Sequence, residues 1–360
     1  MANESTRREF LERLGSAAMG AALGGTVAPG CAGNTQNGHT PAGSGQAREA
    51  GPDDAASGGS APAVAKGPAR VAIARDEALI SGRASDHADL LRKMLDAALQ
   101  RVTMAVDAPC AWRALFKKSD RVGIKVNTLG LTTQPAVAEA IVAGLLSAGV
   151  APENILIWDR FDSELATAGF KLNRSMSGVR CRGTDAEQYG SGYCPEIESS
   201  GEIGSCFSKI VAEEVSALIS VPVLKDHNLA GVSLGLKNFY GAIHNPNKYH
   251  THNCDPYVAD VVGHRFIRPK WRLTVCDGTR AQYHAGPARH PGFAWPFAGL
   301  IVSTDVVAAD AVAADLLEQE RCAKGLKSLA EEERPPKHIA TAAARGFGVA
   351  DLSKIECIEV

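Results

Sequence analysis

Beyond residue 69 the apolar positions fall into short unbroken runs that alternate with stretches of helical spacing. Arg70 to Arg75 (RVAIAR) reads as a short strand, and Asp86 to Val102 sets Leu91, Met94, Leu95 and Leu99 on one helical face. Arg121 to Val126 (RVGIKV) reads as a buried strand. Pro135 then opens a helix through Ala148, with Gly149 just past its end. Proline loses nothing in a first turn whose N–H groups are free anyway, and glycine accepts the left-handed closure. Asn154 to Trp158 is the next strand, completing a strand–helix–strand unit at the spacing of a parallel crossover.

From Phe161 to Cys206 the pattern is irregular and rich in Gly and Ser, which predicts a helix and short strands among long loops. Lys209 to Val215 predicts a short helix, and Ala217 to Leu224 one apolar strand that delivers Lys225-Asp226-His227. Gly231 to Tyr240 reads as a helix or turn carrying Lys237-Asn238, and Tyr257 to Ile267 as helical. Trp271 to Cys276 predicts a strand ending in Asp277-Gly278-Thr279, and Leu300 to Ser303 a strand before Asp305. An alanine-rich helix, Val306 to Leu317, a helix near His338 to Arg345 and a last strand, Ile355 to Val360, complete the chain.

This alternation predicts one α/β domain over residues 70–360, a mainly parallel sheet with helices on both faces and long loops at the strand ends. Open parallel sheets bind ligands beyond the carboxyl ends of their strands. Lys125/Asn127, Asp159/Arg160, Lys225/His227, Asp277/Thr279 and Thr304/Asp305 all fall at such ends and are expected to converge on one cleft.

The N-terminus reads differently. Thr6-Arg7-Arg8-Glu9-Phe10-Leu11 resembles a twin-arginine export signal, with Glu12 where a lysine is common, and precedes LGSAAMGAALGGTVAPG. That run is too short and too rich in Gly for a comfortable membrane span, the competing readings being an amphipathic helix or an anchor. Residues 1–32 are therefore assigned as the signal, residues 33–69 as a disordered tether too poor in large apolar side chains to offset its ordering entropy. Cys31 offers a lipidation site, although Ala28 replaces the usual leucine. The leader predicts an exported, periplasmic protein handled by the twin-arginine translocation machinery. Export in folded form argues for a metal or redox group inserted beforehand.

With 38 basic and 40 acidic residues the chain has no overall field for nucleic acid. Its nine cysteines include Cys181, Cys194 and Cys206 close together, which reads either as a disulfide in an oxidising compartment or as a ligand set. No CxxC run occurs, so no self-contained ferredoxin-type cluster is expected.

The densest chemistry lies in residues 221–260. His250-x-His252-x-Cys254 on a loop is a candidate transition-metal set, though its spacing matches no named motif and loop histidines are commonly just exposed. Lys125, Lys225 and Lys237 have another rationale, since converging ammonium groups with Asn127 and Asn238 would hold a carboxylate or phosphate. The alternative is a set of separate salt bridges. Asp277 and Asp310 are counted with the ligand-binding residues, Asp310 as the lysine partner expected in the cleft and Asp305 as a helix N-cap. Lys225, His227 and His244 are the candidate catalytic groups, Lys225 foremost. No Gly-rich phosphate loop or serine-hydrolase elbow is present.

The segments IKVN, TTQPAVAEAIVAGLLSAG, VPVLKDH, GLKNFYGAIHNP, CDGT and GLIVSTDVVAADAVAADLL together resemble the family called domain of unknown function 362, over most of Arg70 to Glu318. The leader fits an exported branch. Relatives are found attached to iron–sulfur modules, but this chain lacks those appended cysteines. Two functions are carried forward: an exported metal- or redox-linked enzyme that binds a small anionic ligand or cofactor, and a non-catalytic periplasmic binding or accessory protein serving a redox partner.

Overall fold

Side chains along a strand alternate between faces, and in the central strands here both alternations are apolar. Leu156, Trp158 and Leu218 enter one core while Ile155, Ile157 and Ile219 enter the other, so the sheet is buried on both sides. The structure, a computed structural model, describes residues 68–360. The twin-arginine leader, Cys31 and the tether up to residue 67 lie outside the described residues.

The strands are β1 (Ala69–Arg75), β2 (Val122–Val126), β3 (Ile155–Asp159), β4 (Arg180–Gly183), β5 (Glu198–Ser200), β6 (Ile203–Ser205), β7 (Ala217–Val221), β8 (Val223–His227), β9 (Gly231–Val232), β10 (Trp271–Gln282), β11 (Ala294–Trp295), β12 (Gly299–Ser303) and β13 (Ile355–Glu359). Among them run helices α1 (Ala88–Thr103), α2 (Ala108–Leu115), α3 (Pro135–Ser147), α4 (Asp162–Thr167), α5 (Gly235–Asn238), α6 (Tyr257–Gly263), α7 (Val306–Ala323) and α8 (Lys337–Ala344). The large sheet runs β13-β1-β12-β10-β7-β2-β3-β4, with β8 and β11 added to β10, β9 to β8, and β5-β6 apart as a small hairpin. It is mainly parallel: β10, β7, β2, β3 and β4 all run one way, and β12 is antiparallel to both β1 and β10. Helices α1 and α3 cover one face through Leu95, Leu99, Ile141 and Leu145, and α6, α7 and α8 the other through Val262, Val307, Leu317 and Ile339.

Three departures from the sequence pattern shape the site. The expected single strand from Ala217 to Leu224 is two strands broken at Pro222, a residue with no N–H for the ladder. The Pro222 carbonyl instead accepts the Asp277 N–H at 2.8 Å, and β8 leaves β2 to pair with β10 at Asp277↔Val223 and Gln282↔Lys225. Lys225 and His227 therefore lie within a strand, both on one face. Strand β10 does not stop at Cys276, because these added partners carry it on to Gln282.

The third departure concerns Asp305. Because β12 is antiparallel to β10, its carboxyl end lies at the opposite edge of the sheet from those of β2, β3 and β7. Asp305 caps α7 as expected, accepting the N–H groups of Val307 (3.0 Å) and Ala308 (2.9 Å), but takes no part in the cleft. The segment expected as a short helix from Lys209 is a π-helical turn, Ile210–Glu214. All eight described cysteines are unpaired, so Cys181, Cys194 and Cys206 form no disulfide.

Candidate functional site

Strand β2 ends beside the ends of β3 and β7, and the first polar cluster sits there. Lys125 is buried, its Nζ donating to Asp159 Oδ1 (2.7 Å), the Val126 carbonyl (2.7 Å) and Asn238 Oδ1 (3.3 Å). Burial pushes its pKa down, and the Asp159 carboxylate opposes that. Asp159 is saturated, since it also accepts from Arg160 N–H (2.8 Å), Thr128 N–H and the Thr128 hydroxyl (both 2.9 Å). Gly241 closes over this pair: a Cβ there would stand 2.7 Å from Lys125 Cε and 2.9 Å from Asp159 Oδ1. The same Thr128 hydroxyl lies 3.1 Å from Glu164 Oε2, whose carboxyl is raised by burial and then by the Asp159 charge.

Lys225 projects from β8 into the loop that follows β2. Its Nζ donates to Asn127 Oδ1 (2.9 Å) and to the carbonyls of Leu129 (2.5 Å) and Leu131 (2.7 Å). The side chain is fully buried, and burial followed by the nearby Lys237 charge pulls its pKa down to about 7. An acid or anion was the expected partner; the structure supplies three neutral oxygens. Three acceptors match the three hydrogens of an ammonium, so this geometry holds the protonated form against burial.

Lys237 is placed by α5, whose start is fixed from another element. Asp310 on α7 accepts the N–H groups of Gly235 (2.7 Å) and Leu236 (2.8 Å). Buried there, its pKa rises to about 7. Lys237 is nine-tenths buried, and its Nζ meets His250 Nε2 at 3.2 Å and the Tyr240 ring at 4.8 Å, with no carboxylate paired to it among the described residues. His250 Nδ1 lies 3.1 Å from the Pro246 carbonyl, which assigns the proton to Nδ1 and leaves Nε2 to accept from Lys237. Burial, then the Lys237 charge, drops the His250 pKa to about 3.

His227 faces His250, ring centroids 5.7 Å apart, and its Nδ1 accepts N–H groups from Leu229 (3.1 Å) and Ala230 (3.3 Å). The proton is thereby assigned to Nε2. Burial first, then Lys237, holds its pKa well below the ordinary value, so the ring is neutral. His338 on α8, fully buried with neither nitrogen bonded, is likewise kept neutral, with its pKa near 3.

The three lysines, His227, His250, Asp159 and Glu164 line one cavity of about 130 Å³. Its wall carries Lys125, Lys225, Lys237 and Arg160 against the carboxyls of Asp159 and Glu164. Arg160 makes no salt bridge among the described residues, its guanidinium resting over Phe161 at 4.8 Å. Leu129, Pro246 and Pro287 add apolar surface. The wall can hold an anion of a few atoms and offer it hydrogen bonds from neutral imidazole.

Of the residues singled out in the sequence, Lys125, Asn127, Lys225, His227, Lys237, Asn238 and His250 are gathered here. Asp277 is not: its carboxylate accepts Gln134 N–H (2.8 Å) and the Thr279 hydroxyl (2.6 Å), fixing the turn into α3. Nor is Asp310, which is spent on the start of α5 rather than on a cleft lysine. His244 is exposed, edge-on to Tyr193 with centroids 5.2 Å apart, and lies outside the cavity wall.

His250, His252 and Cys254 do not meet as a ligand set. The backbone is left-handed at His252 (φ 53), Asn253 (φ 60) and Cys254 (φ 63), a turn that leaves His252 exposed near Tyr257 while Cys254 is buried. No group of three or more His, Cys, Asp or Glu side chains among the described residues is placed to share a metal ion. Sequence reasoning placed Asp159 and Arg160 at a strand end facing the expected cleft but gave neither a role there, and passed over Glu164 and Tyr240. A carboxylate closing the strand after IKVN was the available signal for Asp159; an acid on an exposed-looking helix gave none for Glu164.

No curated protein and no solved structure matches the chain. The sequence profile of one family, described as Domain of unknown function (DUF362), matches residues 122–315, a span that takes in β2, α5 and every lysine of the cavity. The chain belongs to the domain of unknown function 362 family.

Proposed function

We propose that this is an exported enzyme that binds a small carboxylate or phosphate in the cavity between β2, β8 and α5. One observation carries the reading: Lys225 and Lys237 are buried on the same cavity and neither is paired with a carboxylate. An uncompensated buried charge costs several kcal/mol, and an anionic ligand relieves it. Lys237 is the direct anchor, having one imidazole partner and N–H groups to spare. Lys225 acts across the cavity by its field, its hydrogens being committed to the loop. The neutral His227, with its proton on Nε2, donates to a carbonyl or phosphoryl oxygen of the bound anion as charge develops there.

The metal-linked version of this reading finds no gathered donor set among the described residues, and the redox link rests on the leader alone. Export by the twin-arginine machinery and periplasmic residence rest on Arg7 and Arg8, outside the described residues. No described helix is long and apolar enough to cross a membrane. Replacing both arginines by lysine is expected to retain the protein in the cytoplasm; unchanged fractionation would overturn the export assignment.

A second reading, a non-catalytic periplasmic binding or accessory protein, is favoured by one feature. Lys225 has all three hydrogens spent on the protein, as suits a group that holds a loop rather than one that reacts. A thermal-shift series with acetate, propionate, phosphate and sulfate tests the shared premise, because a ligand that binds only the native state raises its stability. Stabilisation that disappears in Lys237→Met is the expected result, and no stabilisation by any of the four overturns both readings. Turnover of a bound anion, lost in a folded His227→Gln protein, separates enzyme from carrier.

A further inference from the structure

Among the described residues, Glu164 is the acid on the cavity wall that makes no ion pair, and Lys225, Lys237 and Arg160 are the cations there that make none. Glu164, on α4, takes one hydrogen bond, from the Thr128 hydroxyl to Oε2 at 3.1 Å, and makes no salt bridge among the described residues. Even that bond is contested. The Thr128 hydroxyl has one hydrogen and lies closer, at 2.9 Å, to Asp159 Oδ2. Asp159 is already matched by Lys125, and Arg160, the nearer cation, acts on Glu164 by its field with no ion pair formed between them among the described residues. Across the same space Lys237 has an imidazole and a ring face but no acid. The two cannot neutralise each other directly, because no ion pair forms between them and the cavity intervenes.

We propose that the cavity is built for a zwitterion, a small α-amino acid with its carboxylate on Lys237 and its ammonium on Glu164. This deepens the anion-site reading and rests on it. A simple anion would compensate Lys237 and leave Glu164 unserved; a ligand carrying both charges compensates both. Burial and then the Asp159 charge hold the Glu164 carboxyl above its ordinary pKa against the opposing fields of Arg160 and Lys125, neither of which pairs with it. Size agrees. At roughly 30 Å³ of liquid volume per water, 130 Å³ holds about four waters or a ligand of about six non-hydrogen atoms. Leu129, Pro246 and Pro287 suit a short aliphatic side chain.

Titration calorimetry on the full-length protein with L-alanine, propionate and L-lactate decides it, since the three share size and carboxylate and differ at the α-substituent. Alanine is expected to bind at least tenfold more tightly than propionate, and Glu164→Gln to abolish that preference. Lys237→Met is expected to weaken both ligands, and the thermal midpoint of each variant verifies folding. Should Glu164→Gln fail to fold, Glu164→Asp, which keeps the charge but withdraws it, is expected to reduce the preference without abolishing it. Equal affinities for alanine and propionate, or lactate binding more tightly than alanine, would overturn the zwitterion assignment while leaving the anion site standing. No binding of any of the three, with Lys237→Met behaving as the parent, would overturn the anion site itself.

Discussion

Removing the Lys225 charge tests how the fold tolerates a buried ammonium. Its pKa of about 7 in the folded chain lies below the ordinary 10.5, so the unfolded chain binds more protons between those limits. Stability therefore rises with pH across the window from about 7 to 10.5, by up to about 1.4 kcal/mol per pH unit. Over the interval this amounts to about 5 kcal/mol. That is an upper bound, since Asn127 Oδ1 and the Leu129 and Leu131 carbonyls favour the ammonium. In Lys225→Met those three oxygens lose their donor, at about 1–3 kcal/mol each. Near pH 7 the two effects roughly cancel, and the variant's stability stays close to the parent's. As pH rises the parent gains and the variant falls behind. Urea unfolding of both proteins from about pH 7 to about pH 10 measures the difference, in which the other lysines largely cancel. A difference that stays constant across that range would refute the reasoning, because it would mean that Lys225 titrates as it does in water.

Lys237→Met removes a buried charge that has no acid partner, and is expected to stabilise the ligand-free protein by about 1–4 kcal/mol in urea unfolding; a loss of stability would show that His250 and Tyr240 compensate the charge fully. Gly241→Ala would force a Cβ to within 2.7 Å of Lys125 Cε, so a loss of about 1–3 kcal/mol and of anion-dependent thermal stabilisation is expected. Asp310 has its pKa raised from 3.8 to about 7 by burial, so the folded chain holds the extra proton and stability falls as pH rises between those values. Relative to Asp310→Asn, which cannot titrate, the parent is expected to lose up to about 4 kcal/mol across that window, less whatever the two N–H donors return, as read from unfolding midpoints.

What the sequence determined is local. The 3.6-residue spacing of Leu91, Leu95 and Leu99, the Pro135 to Gly149 helix and the apolar runs of β2, β3 and β12 each depend on neighbours within a few positions, and the observed elements follow them. The same reading set Lys125, Asn127, Lys225, His227, Lys237 and Asn238 toward one site, because polar groups closing apolar strands have little reason to be there without a cleft, but it read His250 with His252 and Cys254 as a metal set. The tertiary structure decided which partner each group meets. Whether β12 runs parallel or antiparallel is settled by how β1 and β10 close the sheet, and that choice alone removes Asp305 from the site. Asp310 serves a helix start 75 residues away in sequence, and Lys225 a loop 94 to 98 residues away. Such pairings arise because a buried donor or acceptor takes whatever complement the packed fold brings within reach. Glu164 shows the same limit: its sequence neighbours mark a solvated helix, and only the approach of Thr128 and Asp159 turns it into a half-buried acid on the cavity wall.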